Sequence, residues 1–173
     1  MILSTADVKC FGRNDPGALG YGDVTQRGSD PSEMGTNLPA IDLGGGTPAA
    51  ITAGESHTCV LFDDGTAKCW GYNSQGQLGV GDTVQRGDGP DQMGANLVAI
   101  DFGAGLTAHT LAGTEHHTCA ILAHATNDDI LKCWGRNDYG QCGTGDLTNI
   151  GDGGENGGMG DNLPAIDLVS ATA

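Results

Sequence analysis

One string occurs three times along the chain: KCFGRNDPGALGYGD from Lys9 to Asp23, KCWGYNSQGQLGVGD from Lys68 to Asp82, and KCWGRNDYGQCGTGD from Lys132 to Asp146. Each copy is followed by a second string: MGTNLPAIDL from Met34, MGANLVAIDF from Met93 and MGDNLPAIDL from Met159. The first two copies then run into a third string, AGESHTC ending at Cys59 and GTEHHTC ending at Cys119. Cys10 and Cys69 are 59 residues apart, and Cys69 and Cys133 are 64 apart. A period of this size builds a fold from one supersecondary unit that buries its apolar face on its neighbours. The sequence therefore reads as a single repeat array over 1–173, in units of approximately 1–56, 57–115 and 116–173, with no separate domain or linker. Both ends cut through a unit, so the expectation is a piece of a longer repeat protein.

The units read as β-structure. Thirty-one of the 173 residues are Gly and only eight are aromatic, and glycines interrupt every stretch that could carry a 3.6-residue apolar period. A helical bundle and a coiled coil are excluded. Twenty-two acidic residues against seven basic ones give a formal charge of −15. That charge excludes a basic nucleic-acid binder, whose affinity comes from clustered Lys and Arg that release counterions, and it disfavours anionic membrane surfaces. No stretch approaches the roughly 20 apolar residues of a membrane span, and the opening MILSTADVKC lacks the basic and apolar regions of a secretory signal.

Local turn signals fix a register. Thr58 to Phe62 leads through Asp63-Asp64-Gly65 into Thr66 to Trp70. A three-residue hairpin loop favours a type I turn followed by Gly in the left-handed region, and Gly65 stands there. Strands pairing about Asp64 bring Cys59 opposite Cys69. Cys119 and Cys133 enclose four more residues, expected in a loop near His124 to Asp129. An even insertion keeps both sulfurs on one face, because side chains alternate along a strand. Two cross-strand disulfides are expected, Cys59–Cys69 and Cys119–Cys133. The residue that would face Cys10 falls at position zero, just before Met1, so Cys10 is left unpaired or intermolecular. Cys142 stands where Leu19 and Leu78 stand in the other units and reads as a buried free thiol acting as a small hydrophobe. Paired cysteines imply an oxidising compartment, hence an extracellular or cell-surface protein.

The order HTC–x–L–x–x–D–G–x–x–KCWG–x–N–x–x–GQLG–x–GD resembles the regulator of chromosome condensation repeat family over nearly the whole chain. The resemblance implies an all-β chain of about three four-stranded antiparallel blades of a β-propeller-like array, seven of which usually close a ring in that family. The cysteine-bearing pattern is similar to that of bacterial and algal extracellular members. The nuclear member binds chromatin and exchanges nucleotide on a small GTPase, but no residue here matches those surfaces. Other relatives bind proteins, among them a secreted bacterial inhibitor of β-lactamase.

Chemistry-bearing patterns yield no single catalytic constellation. His57 and His117 precede Cys in the repeated HTC, but a nucleophile or zinc ligand recurring in every unit is less natural than a structural role for a cysteine with a disulfide partner. GQLGVGD is no phosphate loop, since no Lys-Ser/Thr follows and no helix opens there. Arg86-Gly87-Asp88 spells an integrin-type tripeptide, but the equivalents Arg27-Gly28-Ser29 and Ile150-Gly151-Asp152 drift from it, as a repeat-loop coincidence would. Asp82, Asp88 and Asp91, and again Asp146, Asp152 and Glu155, are candidate Ca²⁺ ligands in Gly-rich loops, because calcium takes six to eight oxygens; solvated acidic turns are the bland alternative, and no other cofactor is expected. Phe11, Trp70 and Trp134 share one repeat position and read as packing between units. Met34, Met93 and Met159 read as scaffold, and Asn37, Asn96 and Asn162 as turn-bonding side chains.

The function expected is a non-enzymatic extracellular structural or interaction repeat protein, a subunit or fragment of a filament or large surface assembly. Its partners would be proteins, foremost copies of itself packed head to tail, with no nucleic acid and no membrane span. The alternative is a secreted propeller-type protein-binding or inhibitor module. A metal-dependent enzyme using the acidic loops ranks last.

Overall fold

The computed structural model describes residues 1–124, 127–154 and 158–168. Six strands lie among them: β1 (Pro48–Ala53), β2 (His57–Phe62), β3 (Ala67–Gly71), β4 (Leu106–Gly113), β5 (His117–His124) and β6 (Asn127–Gly135). They form two antiparallel sheets, in the orders β1-β2-β3 and β4-β5-β6. The chain is all-β apart from short 3-10 turns, and no helix among the described residues is long and apolar enough to cross a membrane.

Turn chemistry sets the register of the first sheet. Gly65 takes φ +81°, a value that costs glycine little, and its N–H donates to the Phe62 carbonyl at 3.1 Å. Phe62 N–H in turn donates to the Thr66 carbonyl at 2.9 Å, which closes the hairpin. The Asp64 carboxylate accepts from both the N–H and the hydroxyl of Thr66. Counting back from the hydrogen-bonded Phe62–Thr66 pair, Cys59 and Cys69 face each other at a non-hydrogen-bonded position, where strands approach most closely. Their Cα atoms are 4.1 Å apart and their sulfurs are joined. Cys119 and Cys133 repeat the arrangement, joined with Cα atoms 4.0 Å apart.

Two features differ from expectation. The four extra residues of the third unit do not sit in a loop: β5 runs on to His124 and β6 starts at Asn127, so the insertion lengthens both strands. Pairing is an outlet for added backbone: Leu122 pairs Ile130 and, past a register shift, His124 pairs Asn127. The fourth strand of each blade is also missing as a ladder among the described residues. In its place a single backbone hydrogen bond recurs: Ile41 to Val8, Ile100 to Ala67 and Ile166 to Leu131, each 2.8 Å. Only a few extended residues are available there. A 3-10 turn ends at Asn96, and after Ile100 the Asp101 carboxylate turns the chain by accepting from Gly103 N–H. In the other units Pro39 and Pro164 have no N–H to offer a ladder.

The first unit repeats the hairpin in reduced form. Leu3 N–H donates to Asp7 O and Lys9 N–H to Met1 O, and Ile2 bridges Val8. Ala6 occupies the place of Gly65 with φ +64°. Cys10 and Cys142 carry free thiols. Cys142 is fully buried where Leu78 is buried in the second unit, and burial together with the nearby Asp146 carboxylate pushes its thiol up to about 12.

The seams between units carry the core. Trp70 and Trp134 are fully buried. The Trp70 indole donates to the Ala18 carbonyl of the preceding unit at 3.0 Å, and Thr58 donates its hydroxyl to the same oxygen at 2.8 Å. One period on, Trp134 and Thr118 both donate to the Gln77 carbonyl, at 3.1 and 3.0 Å. Glycine is required beside each ring: a Cβ on Gly20 would stand 2.5 Å from Trp70 Nε1, and one on Gly79 would stand 2.5 Å from Trp134 Nε1. Phe11 breaks the pattern. It is 52% exposed: among the described residues no Gly-x-Leu-Gly loop of another unit covers it as those loops cover the two tryptophans.

Candidate interaction face

Three buried asparagines shape the loops that carry the acidic residues. Asn73 Nδ2 donates to the Asp82 carbonyl, the Asp82 carboxylate and the Val84 carbonyl, while its Oδ1 accepts from Leu78 N–H. Asn14 and Asn137 make the same set with Asp23, Thr25 and Leu19, and with Asp146, Thr148 and Cys142. One side chain thus satisfies four backbone or carboxylate groups that burial would otherwise leave without water.

Of the acids proposed as calcium ligands, this network engages Asp82 and Asp146. Asp82 accepts both guanidinium arms of Arg86, at 2.9 and 2.7 Å, and also Val84 N–H. Arg86 foremost holds the Asp82 carboxyl below its ordinary range. Asp88 accepts from the Gln85 amide, and its other oxygen is buried without a partner. Asp91 contributes only its main-chain oxygen, to Asn96. Asp146 accepts from Asn137 and Thr148, and Asp152 from Gly154 N–H. Glu155 lies outside the described residues. The structure does not draw Asp82, Asp88 and Asp91, or Asp146 and Asp152, into one ligand group. Arg86 of the Arg-Gly-Asp string is held by Asp82 and bridges Gly71 through its backbone. Asn37 and Asn96 donate to turn carbonyls, of Ser32 and Asp91.

The HTC histidines are structural and buried to different degrees. The Thr118 hydroxyl gives its one proton to Gln77, so His57 Nε2, 2.9 Å away, donates to it. The proton of the neutral ring therefore sits on Nε2, and the buried Nδ1 has no partner. In the next unit His117 Nδ1 lies 2.6 Å from the Thr114 hydroxyl, and Gly54 occupies the corresponding place beside His57. Burial foremost, then the charges of His116 and His117, lower His57 to about 4. The unfolded ring titrates at about 6.5. Between those values the unfolded chain binds a proton that the native chain refuses, so stability falls as pH falls. Unfolding free energy is expected to drop by about 2 kcal/mol from pH 7 to pH 5 through this group. Urea melts at the two pH values, compared with a His57→Gln variant that flattens the difference, check it.

A continuous loop face crosses the units. A cleft of about 530 Å³ is lined by Arg13, Asp15, Glu55, Tyr72, Gln85 and His116 among others. A smaller one of about 170 Å³ shares Tyr72 and His116 and adds Gln75, Arg136 and Asp138. The Tyr72 and His116 rings meet at 6.1 Å in a tilted arrangement. Backbone bonds anchor both: Tyr72 N–H to Ser56 O at 2.8 Å, and Arg136 N–H to His116 O at 2.9 Å. Tyr and Arg around a shared cleft are the side chains that dominate protein interfaces. Reading the sequence for chemistry misses all of these residues. A usable signal was nonetheless present: Arg13, Tyr72 and Arg136 hold one repeat position, and Ser56 and His116 another, so the copies diverge where the scaffold does not constrain them.

The repeated sequence and the fold agree with known proteins. A family model, the regulator of chromosome condensation (RCC1) repeat, matches residues 49–77. The Arabidopsis thaliana ultraviolet-B receptor UVR8 is 32% identical over 146 residues, covering 84% of this chain and 29% of the receptor. The Caenorhabditis elegans X-linked retinitis pigmentosa GTPase regulator homolog is 32% identical over 132 residues, covering 67% of this chain and 8% of that protein. The chain is an RCC1-like repeat protein. Prp20p from Saccharomyces cerevisiae superposes with a TM-score of 0.54 at 17% identity, over 79% of this chain and 30% of that one, and shares its fold. The RCC1-like chain therefore spans less than a third of the length of each of these proteins.

Proposed function

We propose that this RCC1-like chain is a non-enzymatic protein-interaction module of an extracellular or cell-surface assembly, and that its first partner is another copy of itself. The observation that carries the proposal is the unequal state of the seam. Inside the chain each Gly-x-Leu-Gly loop receives a tryptophan of the next unit. In the first unit Phe11, in the tryptophan position, is half exposed beside a groove of about 370 Å³ lined by Lys9, Cys10, Leu19 and Ile51 among others. In the third unit Tyr139, next to the Gly140–Gly143 loop, is 81% exposed. Packing that loop of one copy on Phe11 of the next repeats a contact the chain already makes twice. Such head-to-tail contact is heterologous, and gives a ring if the rotation closes or a filament if it does not. The two disulfides suit an oxidising compartment.

Light scattering and electron microscopy of the purified chain test this. Particles larger than a monomer are expected, and Phe11→Asp is expected to return them to single chains, since it would bury an unpaired charge in the contact. A monodisperse wild-type chain of 17.5 kDa would overturn the proposal.

The Tyr72–His116 clefts favour a second reading, capture of a different protein on the loop face. Prp20p is described by its binding to Gsp1p and histones, and a chain of charge −15 suits a basic partner.

A further inference from the structure

We infer that Glu55, Glu115 and His116 form a divalent transition-metal site that staples adjacent units. Glu55 stands in the turn between β1 and β2, and Glu115 and His116 stand in the corresponding turn between β4 and β5. The turns are docked through Glu55 N–H and the Glu115 carbonyl, 3.4 Å apart. This brings a carboxylate oxygen from each glutamate and an imidazole nitrogen within 4.8 Å of one another. His116 Nε2 is 3.4 Å from Glu55 Oε2 and 3.8 Å from Glu115 Oε1.

Those spacings suit a bound metal as well as an ion pair. Zinc binds imidazole nitrogen and carboxylate oxygen at about 2.0–2.1 Å, so neighbouring ligands of a tetrahedral ion stand about 3.3 Å apart. The donors are already close to that. Among the described residues neither glutamate forms an ion pair with Lys or Arg; the nearby Arg136 is engaged by Asp138 at 2.7 Å. The two carboxylates converge on His116, while Arg136 acts on Glu115 through its charge without an ion-pair contact. A ring ligating through Nε2 keeps its proton on Nδ1, and a divalent cation held between Nε2 and the two carboxylates balances their charge. The imidazole selects for Zn²⁺-like ions over Ca²⁺, which prefers an all-oxygen shell.

Isothermal titration of the full chain with zinc chloride tests the site, run beside calcium chloride and beside His116→Ser and Glu55→Gln. Serine is what the preceding unit carries at this position, so the first variant keeps a residue the fold accepts. A single zinc per chain is expected, weakened by more than about tenfold in each variant, with no comparable calcium binding. Cobalt bound in place of zinc should show the intense visible bands of a tetrahedral site. Equal zinc binding by wild type and both variants would mean an adventitious ion only and would overturn the site, as would the absence of zinc binding or calcium binding of equal strength.

Discussion

Trp134→Ala is expected to lower the unfolding free energy by about 4 kcal/mol, the range seen when a large aromatic is cut from a closed core. Trp134 is fully buried, its ring is 5.9 Å from that of Phe102, and its indole N–H is spent on the Gln77 carbonyl. Relaxation into the gap is limited, because Gly79 already touches the ring and Thr118 holds Gln77 from the same side. The cavity therefore persists, and its cost adds to the lost burial. Tyr139→Ala, at an exposed position of the same unit, is expected to stay within about 0.5 kcal/mol of wild type. Urea unfolding of the three proteins gives the comparison. A loss below 1 kcal/mol for Trp134→Ala would show that the seam is not where the chain's stability resides.

The second large effect concerns the longer hairpin. Replacing both Cys119 and Cys133 by Ala is expected to cost about 3 kcal/mol, the loop-closure entropy returned to the unfolded chain when a link across 14 residues is removed. The native ladder should survive, since β5 pairs β6 on both sides of the bridge. The signature is thus a shifted denaturation midpoint with unchanged far-ultraviolet circular dichroism. Cys10→Ala, which removes no link, is the control. If the double variant unfolds at the wild-type midpoint, the bridge adds nothing to a hairpin already held by its strands.

Much of the scaffold was legible from sequence because it rests on short-range rules. Gly65 in a three-residue loop leaves the strands one register, and that register faces Cys59 with Cys69. Where the outcome depended on neighbours, the sequence was silent. Nothing local says that the residues between Cys119 and Cys133 would extend two strands and not a loop. Phe11 carries the same residue class as Trp70, yet its exposure is decided by which loop lies over it. The partners of Asp82 were an exception: Asn73 stands nine residues before it and Arg86 four after, and the same spacings recur for Asn14, Asp23 and Arg27. The loop face was hidden for another reason: Glu55 and His116 belong to different units and meet only because two turns dock.

The acceptor for the buried tryptophans is a main-chain oxygen, at Ala18 in one unit and Gln77 in the next. A peptide carbonyl is present whatever residue is encoded, so the docking code between units is insensitive to mutation at the accepting position. Gene duplication can therefore add, delete or shuffle units without re-inventing the contact, provided each new copy brings its own indole and the small residue beside it. The same property makes the array an editable one: a chimera that follows the second unit with another copy of itself should join as well as the natural order does.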